Sequence, residues 1–398
     1  MNEYIGLDLG TSNLKGVLIR GNSIAAREVR SNSFLYPEKD HVEIDPEGYF
    51  SLVYDLIRSL AEKSRGPVKG IAGCAASGNT LLMGKDFRAC GNIISWLDQR
   101  KVQLPDFSPE MIHETVGWPL IPTFPLAHLQ DLKKKGKLEG RHIGMSHDYV
   151  WMRLTGNHVL DYSSGTPFYL IDQRKKCYCR EILSAYGLTE EQLPALAESS
   201  ACIGTLLPEY RKGNLTGETK VFCGSFDHPS AARAVDLLKE DEILLSCGSS
   251  WVVFEAVEKR EVLPRTLSDP YLSGSGGPWG RMRSLSKAGL DLEEFICRTF
   301  GTTPRRYDLL QEYAERSDVL SYMKNLAERF IAILPRRKIR TIYMVGGAAK
   351  SPLCPSMLAR MTHCQVLVPE FHLFAGSVGA SRMAGAEKLP LNCHVYNP

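Results

Sequence analysis

The residues able to do chemistry begin at the eighth position. Asp8-Leu9-Gly10-Thr11-Ser12-Asn13-Leu14-Lys15-Gly16 holds an acid, a lysine and a run of small polar residues. A turn of Gly10, Thr11 and Ser12 lets backbone N–H groups and hydroxyls come close to an anion. A carboxylate beside it, Asp8, suits a hydrated divalent cation that bridges phosphates. A second small-residue turn, Gly248-Ser249-Ser250, lies about halfway along the chain. A third stretch, Gly346-Gly347-Ala348-Ala349-Lys350-Ser351-Pro352, would sit where a strand enters a helix, and a helix N-terminus favours anions. A second acid, Asp227, follows Gly224-Ser225-Phe226 and precedes His228-Pro229. On residue types alone each keeps a plainer alternative. The turns could be ordinary tight connections, and Asp227 could cap a helix.

The elements that must position these residues follow from the apolar pattern. Tyr4 to Leu7 and Val17 to Ile19 read as the strands of an N-terminal hairpin, and Ile24 to Val29 as a third strand. Asp45-Pro46-Glu47 opens a helix with a cap and a proline at its first position. Val68 to Cys74 reads as a strand delivering the polar turn Ala75-Ala76-Ser77-Gly78-Asn79. Ile93 to Arg100 reads as another, ending in Trp96 and three polar residues, Asp98, Gln99 and Arg100. Strands that end in polar clusters are where open α/β sheets place ligands. Ile243 to Ser246 and Trp251 to Phe254 flank the second turn as a hairpin and so repeat the opening one. A helix is expected over Ser230 to Leu238, and another from Ser356. Gly376 to Gly379 should end the last helical region.

Composition narrows the class. At 398 residues two domains are the default. A hydrophobic share of 43% and a charged share of 23% are those of a soluble globular protein. A net charge of +3, with Lys133-Lys134-Lys135 as the basic run, argues against nucleic acid as the main partner. No apolar stretch is long enough to span a bilayer and no leader is apparent, so no membrane association is expected. Eleven scattered cysteines without zinc-site spacing fit reduced thiols in a cytoplasmic protein.

Taken in order, these pieces resemble the FGGY carbohydrate kinases, the sugar-kinase branch of the actin-like ATPase fold, and are most similar to xylulokinase-like members. The likeness rests on Asp8 to Gly16, Trp96 to Arg100, Ser146-His147-Asp148-Tyr149 through Gly156, Asp161-Tyr162-Ser163, Tyr186-Gly187-Leu188 with Gln192-Leu193-Pro194, and Ile203 to Leu206. It continues through Gly224 to Asp227, Gly248 to Ser250 and Gly346 to Leu353. It implies an α/β fold of two actin-like (ribonuclease H-like) domains with a central ATP and sugar cleft. Residues 1–231 would form the sugar-binding and catalytic domain and 232–398 the nucleotide-binding domain. It implies an ATP- and Mg²⁺-dependent kinase acting on a ketose, another monosaccharide or a polyol. Whether the chain forms a homodimer is left open.

In that reading Asp227 is the catalytic base, and Asp8 with Asp227 holds Mg²⁺, partly through water. Gly10, Thr11, Ser12, Lys15, Gly248, Ser249 and Ser250 cradle the phosphates, while Gly346, Gly347, Ala348 and Ser351 take the adenosine side. Ser77, Asn79, Trp96, Asp98, Asp227 and His228 face the sugar. Against the family pattern, His147 stands where lysine is usual, Phe226 where glycine is common and Ser77 where xylulokinases carry histidine. A proline- and arginine-containing segment of the second domain has no counterpart between Phe295 and Ala327. A sugar sensor with weakened turnover and a sugar-independent ATPase of the same fold are the alternatives.

Overall fold

Strand pairing in the first half of the chain follows from which side chains are buried. In β1 (Glu3–Leu9), Ile5, Leu7 and Leu9 are fully or almost fully buried. They enter a core shared with α1 (Pro46–Ala61) and α2 (Ser146–Thr155). α1 forms where Asp45 accepts from the amides of Glu47 and Gly48 and Pro46 takes the first turn. Its buried Phe50, Val53, Ile57 and Leu60 recur at helical spacing, so one face packs on the sheet. β1 pairs antiparallel with β2 (Asn13–Arg20), and β2 with β3 (Ser23–Ser31). On its other edge β1 pairs parallel with β4 (Val68–Ala75). β5 (Cys202–Thr205) and β6 (Lys220–Phe226) complete a sheet of order β5-β6-β4-β1-β2-β3. α3 (Asp227–Ala234) follows β6 directly.

The second sheet repeats this plan. β7 (Glu242–Cys247) pairs antiparallel with β8 (Trp251–Val257), and parallel with β11 (Thr341–Gly346). With β9 (Leu267–Asp269), β10 (Trp279–Leu285), β12 (Gln365–Pro369) and β13 (Cys393–Tyr396) the order is β9-β10-β8-β7-β11-β12-β13. Each sheet thus sets a three-strand antiparallel meander beside parallel neighbours, in the same sequence. The second core packs β7, β8 and β11 against α4 (Ala288–Phe300), α5 (Ser317–Ile331) and α6 (Leu353–Thr362).

This is a computed structural model, and it describes residues 2–398. Contacts group the chain into two compact units. One runs to Ser230 and is joined by Gly376–Leu389; the other is Ala231–Ala375 with Pro390–Pro398. The returning segment begins in α7 (Ala375–Met383), which packs through small residues. A Cβ on Gly6 would lie 1.9 Å from the Ser377 carbonyl, and one on Gly379 1.7 Å from that of Ser230. No helix among the described residues is long and apolar enough to cross a membrane.

Four local expectations change. Only Ile93–Ile94 is strand, because the Ser95 hydroxyl accepts from the Leu97 amide and the Asp98 amide bonds the Ser95 carbonyl, turning the chain at once. α3 begins at Asp227 rather than Ser230, since Asp227 Oδ1 accepts from the His228 amide and Pro229 suits a first turn. α6 begins at Leu353, ahead of Ser356, and tolerates Pro355 for the same reason. Gly376 to Gly379 lies inside α7, not at its end; there close packing requires small side chains.

Candidate active site

Within the first unit, three parallel strands end side by side. Asp8 of β1 lies in register with Cys74 of β4, and Cys74 with Ser225 of β6. Asp8, the Ala76–Asn79 turn and Asp227 therefore leave the sheet at one end, outside the carboxyl ends of its strands. Gly224 makes the last step feasible. Its φ is +94°, the register of β6 shifts there, and a Cβ would lie 1.9 Å from the Gly73 carbonyl. This bulge re-aims the strand just before the acid.

Asp8 pairs across the hairpin with Lys15, whose Nζ is 4.0 Å from Oδ2. The Cys74 thiol lies 3.8 Å from Oδ1, and Gly376 leaves room for the carboxylate, since a Cβ there would sit 2.9 Å from its carbon. Burial raises the Asp8 carboxyl; Lys15 lowers it and the Asp227 charge raises it again. Burial lifts Asp227 to about 7, against the amides of His228 and its own residue and the charge of Lys15, all of which lower it. Its Oδ1 accepts from the amide of the next residue, His228, at 2.8 Å. Burial pushes the His228 imidazole down to about 4 and keeps it neutral, with Nε2 3.6 Å from Asp227 Oδ1.

The two carboxylates repel one another, which a bound cation would relieve. Among the described residues no group of three or more His, Cys, Asp or Glu side chains could hold a metal by itself. That donor set fits Mg²⁺, which keeps waters and shares phosphate oxygens rather than taking a full protein cage.

The sugar-side candidates divide. Trp96 is half-buried and its Nε1 donates to the Thr11 hydroxyl at 2.9 Å. Asn79 is committed: its Nδ2 donates to Ser146 Oγ and its Oδ1 accepts from the Ser146 amide at 2.7 Å, which pins the start of α2. Asp98 is fully buried; it binds the Arg100 guanidinium at 2.7 and 2.9 Å and the Val42 amide at 2.8 Å. Burial raises its carboxyl, but Arg100 and the two amides outweigh that and hold it low. Arg100 also grips Glu43 and Asp131, so Asp98 organises an ion-pair network and has no oxygen left for a sugar. Ser77 is buried, 3.5 Å from the Ala75 carbonyl.

The sequence reading missed an aromatic wall beside Asp227. Trp118 meets Phe226 edge-on at 5.6 Å, and Phe226 meets His228 at 5.1 Å. Phe124 lies against Gly78, where a Cβ would be 2.7 Å from its ring. The one available signal was the spacing of Trp118 and Phe124 within a proline-rich loop. Asn32 was missed as well; its Nδ2 donates to the Thr11 carbonyl at 3.0 Å.

In the second unit the register of Cys247 with Gly346 sets the Gly248-Ser249-Ser250 turn next to Gly346-Gly347-Ala348. Gly346 has φ +97°, and a Cβ there would collide with the Cys247 carbonyl at 2.3 Å. The start of α4 braces the turn: the Gly289 and Leu290 amides donate to the Ser249 carbonyl, and the Lys287 amide to Ser250 Oγ at 3.3 Å. Ser351 is fully buried, and its hydroxyl has no hydrogen-bond partner among the described residues. Tyr307 lies near Gly347 and carries Lys350 over its ring at 5.3 Å.

Residues 3–233 match the FGGY family of carbohydrate kinases, N-terminal domain. Among curated proteins, the Bacillus subtilis xylulose kinase is 28% identical over 286 residues, 66% of this chain and 55% of that protein. The chain spans about half the length of the curated xylulose kinases it matches. Among solved structures, a ligand-bound xylulose kinase from Lactobacillus acidophilus superposes with a TM-score of 0.85 at 19% identity, covering 100% of this chain and 94% of the other. A gluconate kinase from the same organism gives 0.83 at 18%, with the same coverage.

Proposed function

The chain belongs to the FGGY family of carbohydrate kinases, and we propose that it transfers the γ-phosphoryl group of ATP to a hydroxyl of a ketose, another monosaccharide or a polyol. The observation that carries this is the placing of Asp8 and Asp227 at the carboxyl ends of two parallel strands that flank β4, with Asp227 lifted to about 7. A base poised near neutral pH is suited to take a proton from a sugar hydroxyl.

In the reaction the acceptor hydroxyl attacks the γ-phosphorus while its proton passes to the Asp227 carboxylate. The bond to the β–γ bridging oxygen breaks, and ADP leaves. Gly10, Thr11 and Ser12 would receive phosphate oxygens, with Lys15 adding positive charge, because phosphoryl transfer needs positioning and charge neutralisation above all. Mg²⁺, held by Asp8 and Asp227 partly through water, would supply charge neutralisation at the phosphates. Trp96, His228 and the wall of Trp118, Phe124 and Phe226 are the surfaces left for the sugar. Residues 1–231 would be the sugar-binding and catalytic domain. Residues 232–398 would bind the nucleotide through Gly248–Ser250 and Gly346–Ala348. Eleven unpaired cysteines fit a cytoplasmic protein.

A sugar sensor with weakened turnover is the second reading, favoured by the missing family segment between Phe295 and Ala327. An ADP-release screen over ketoses, aldoses, aldonates and polyols tests both. A kinase releases ADP only with its sugar. A sensor binds sugar and releases none, and release without sugar would point to an ATPase.

A further inference from the structure

The indole of Trp96 and the hydroxyl of Thr11 are 85 positions apart in sequence and joined at 2.9 Å. They tie the start of the Trp96–Arg100 segment to the tip of the first hairpin. The tip is tethered from a second side, where Asn32 Nδ2 donates to the Thr11 carbonyl and the Asn32 amide to the Ser12 carbonyl at 2.9 Å. Between these tethers lies a cavity of about 20 Å³, room for about one water molecule, lined by Gly10, Thr11, Asn32, Asn79, Trp96 and Ser146. The segment carrying Trp96 is itself anchored by the buried Asp98–Arg100 network. A rigid support therefore holds the indole, and the indole holds the turn.

We propose that Trp96 is a positioning residue for the phosphate turn, setting the Thr11 hydroxyl and the neighbouring amides through its Nε1–H. This rests on the reading of Gly10–Ser12 as a phosphate cradle. An indole has one N–H, and here it is spent on Thr11. Trp96 can offer an acceptor sugar only its ring, so the residue a sugar stacks on is also the one that fixes the turn's hydroxyl. The same contact makes the Thr11 Oγ–H the donor available to a phosphate oxygen, since its oxygen already accepts from the indole.

Trp96→Phe keeps a ring and removes the N–H; Thr11→Val removes the hydroxyl at nearly constant volume. Two measurements on the full chain test the proposal. Hydrogen exchange over residues 9–14 should quicken about two- to tenfold in Trp96→Phe, the worth of one neutral hydrogen bond. By calorimetry Mg-ATP affinity should fall by a similar factor, and Trp96→Phe/Thr11→Val should bind no more weakly than Thr11→Val alone. Unchanged exchange at the tip overturns the proposal, as do additive losses in the double variant. A raised sugar KM with unchanged kcat and ATP affinity also overturns it, leaving Trp96 as a sugar contact only. If the wild type binds no Mg-ATP, the kinase reading fails, while the exchange data still decide whether Trp96 sets the turn.

Discussion

At the residue scale, the proposed role of Asp227 as the base can be tested three ways. Asp227→Asn keeps shape and removes the proton acceptor, so kcat should fall about 10²- to 10⁴-fold with sugar and nucleotide binding largely kept. Near-full turnover in that variant would return Asp227 to a helix cap. With a base near 7 and His228 neutral down to about 4, kcat/KM should drop below pH 7 with one protonation. A flat profile from pH 6 to 8 would contradict this. The same shift bears on stability. A carboxyl raised on folding is penalised when charged, so the cost is absent below the unfolded value near 4 and complete above about 7. Asp227→Asn should therefore raise the melting temperature relative to wild type more at pH 8 than at pH 4.5. Asp98 behaves differently. Asp98→Asn breaks a fully buried ion pair, so it should cost about 3 kcal/mol of stability by urea denaturation. A raised sugar KM at unchanged stability would restore it to the sugar site.

At the element scale, the site depends on how strand ends are aimed. β6 reaches the site through a bulge whose Gly224 has φ +94° and no space for a Cβ. Gly224→Ala must shift the backbone of β6 or β4, and should cost about 2 kcal/mol or more. An unchanged urea midpoint would show that the strand end relaxes freely. The second unit uses the same device at Gly346, where β11 turns toward α6. In both units a parallel strand beside the hairpin's first strand delivers a turn next to the hairpin tip.

At the scale of the whole molecule, the proposed nucleotide binding predicts that Mg-ATP stabilises the folded state. Mg-ATP at about 100 times its Kd should add about 2.7 kcal/mol of apparent stability. Asp8→Ala should shrink the resulting melting shift. No shift at saturating Mg-ATP in the wild type would count against nucleotide binding altogether.

What the sequence determined by itself is local: small-residue turns after apolar runs, an acid at two of those turns (Asp8 and Asp227), and a hairpin that recurs. Turn chemistry and strand alternation act over a few residues, so Asp8, Asp227, Gly248–Ser250 and Gly346–Gly347 could be read directly. What only tertiary structure decided is which polar side chains are already spent. Asn79 looked like a sugar contact until Ser146 took both ends of its amide, and Asp98 until Arg100 and the Val42 amide took its oxygens. Arg100 stands two residues from Asp98, but Val42 and Ser146 are remote in sequence from the side chains they bind and are brought to them by the fold, as are Thr11 to Trp96 and Phe226 to Trp118. The return of Gly376–Leu389 to the first unit is of the same kind. A hydrogen bond or a close glycine contact is settled by distances of a few tenths of an ångström between residues remote in sequence, and the order of residue types carries no such distance.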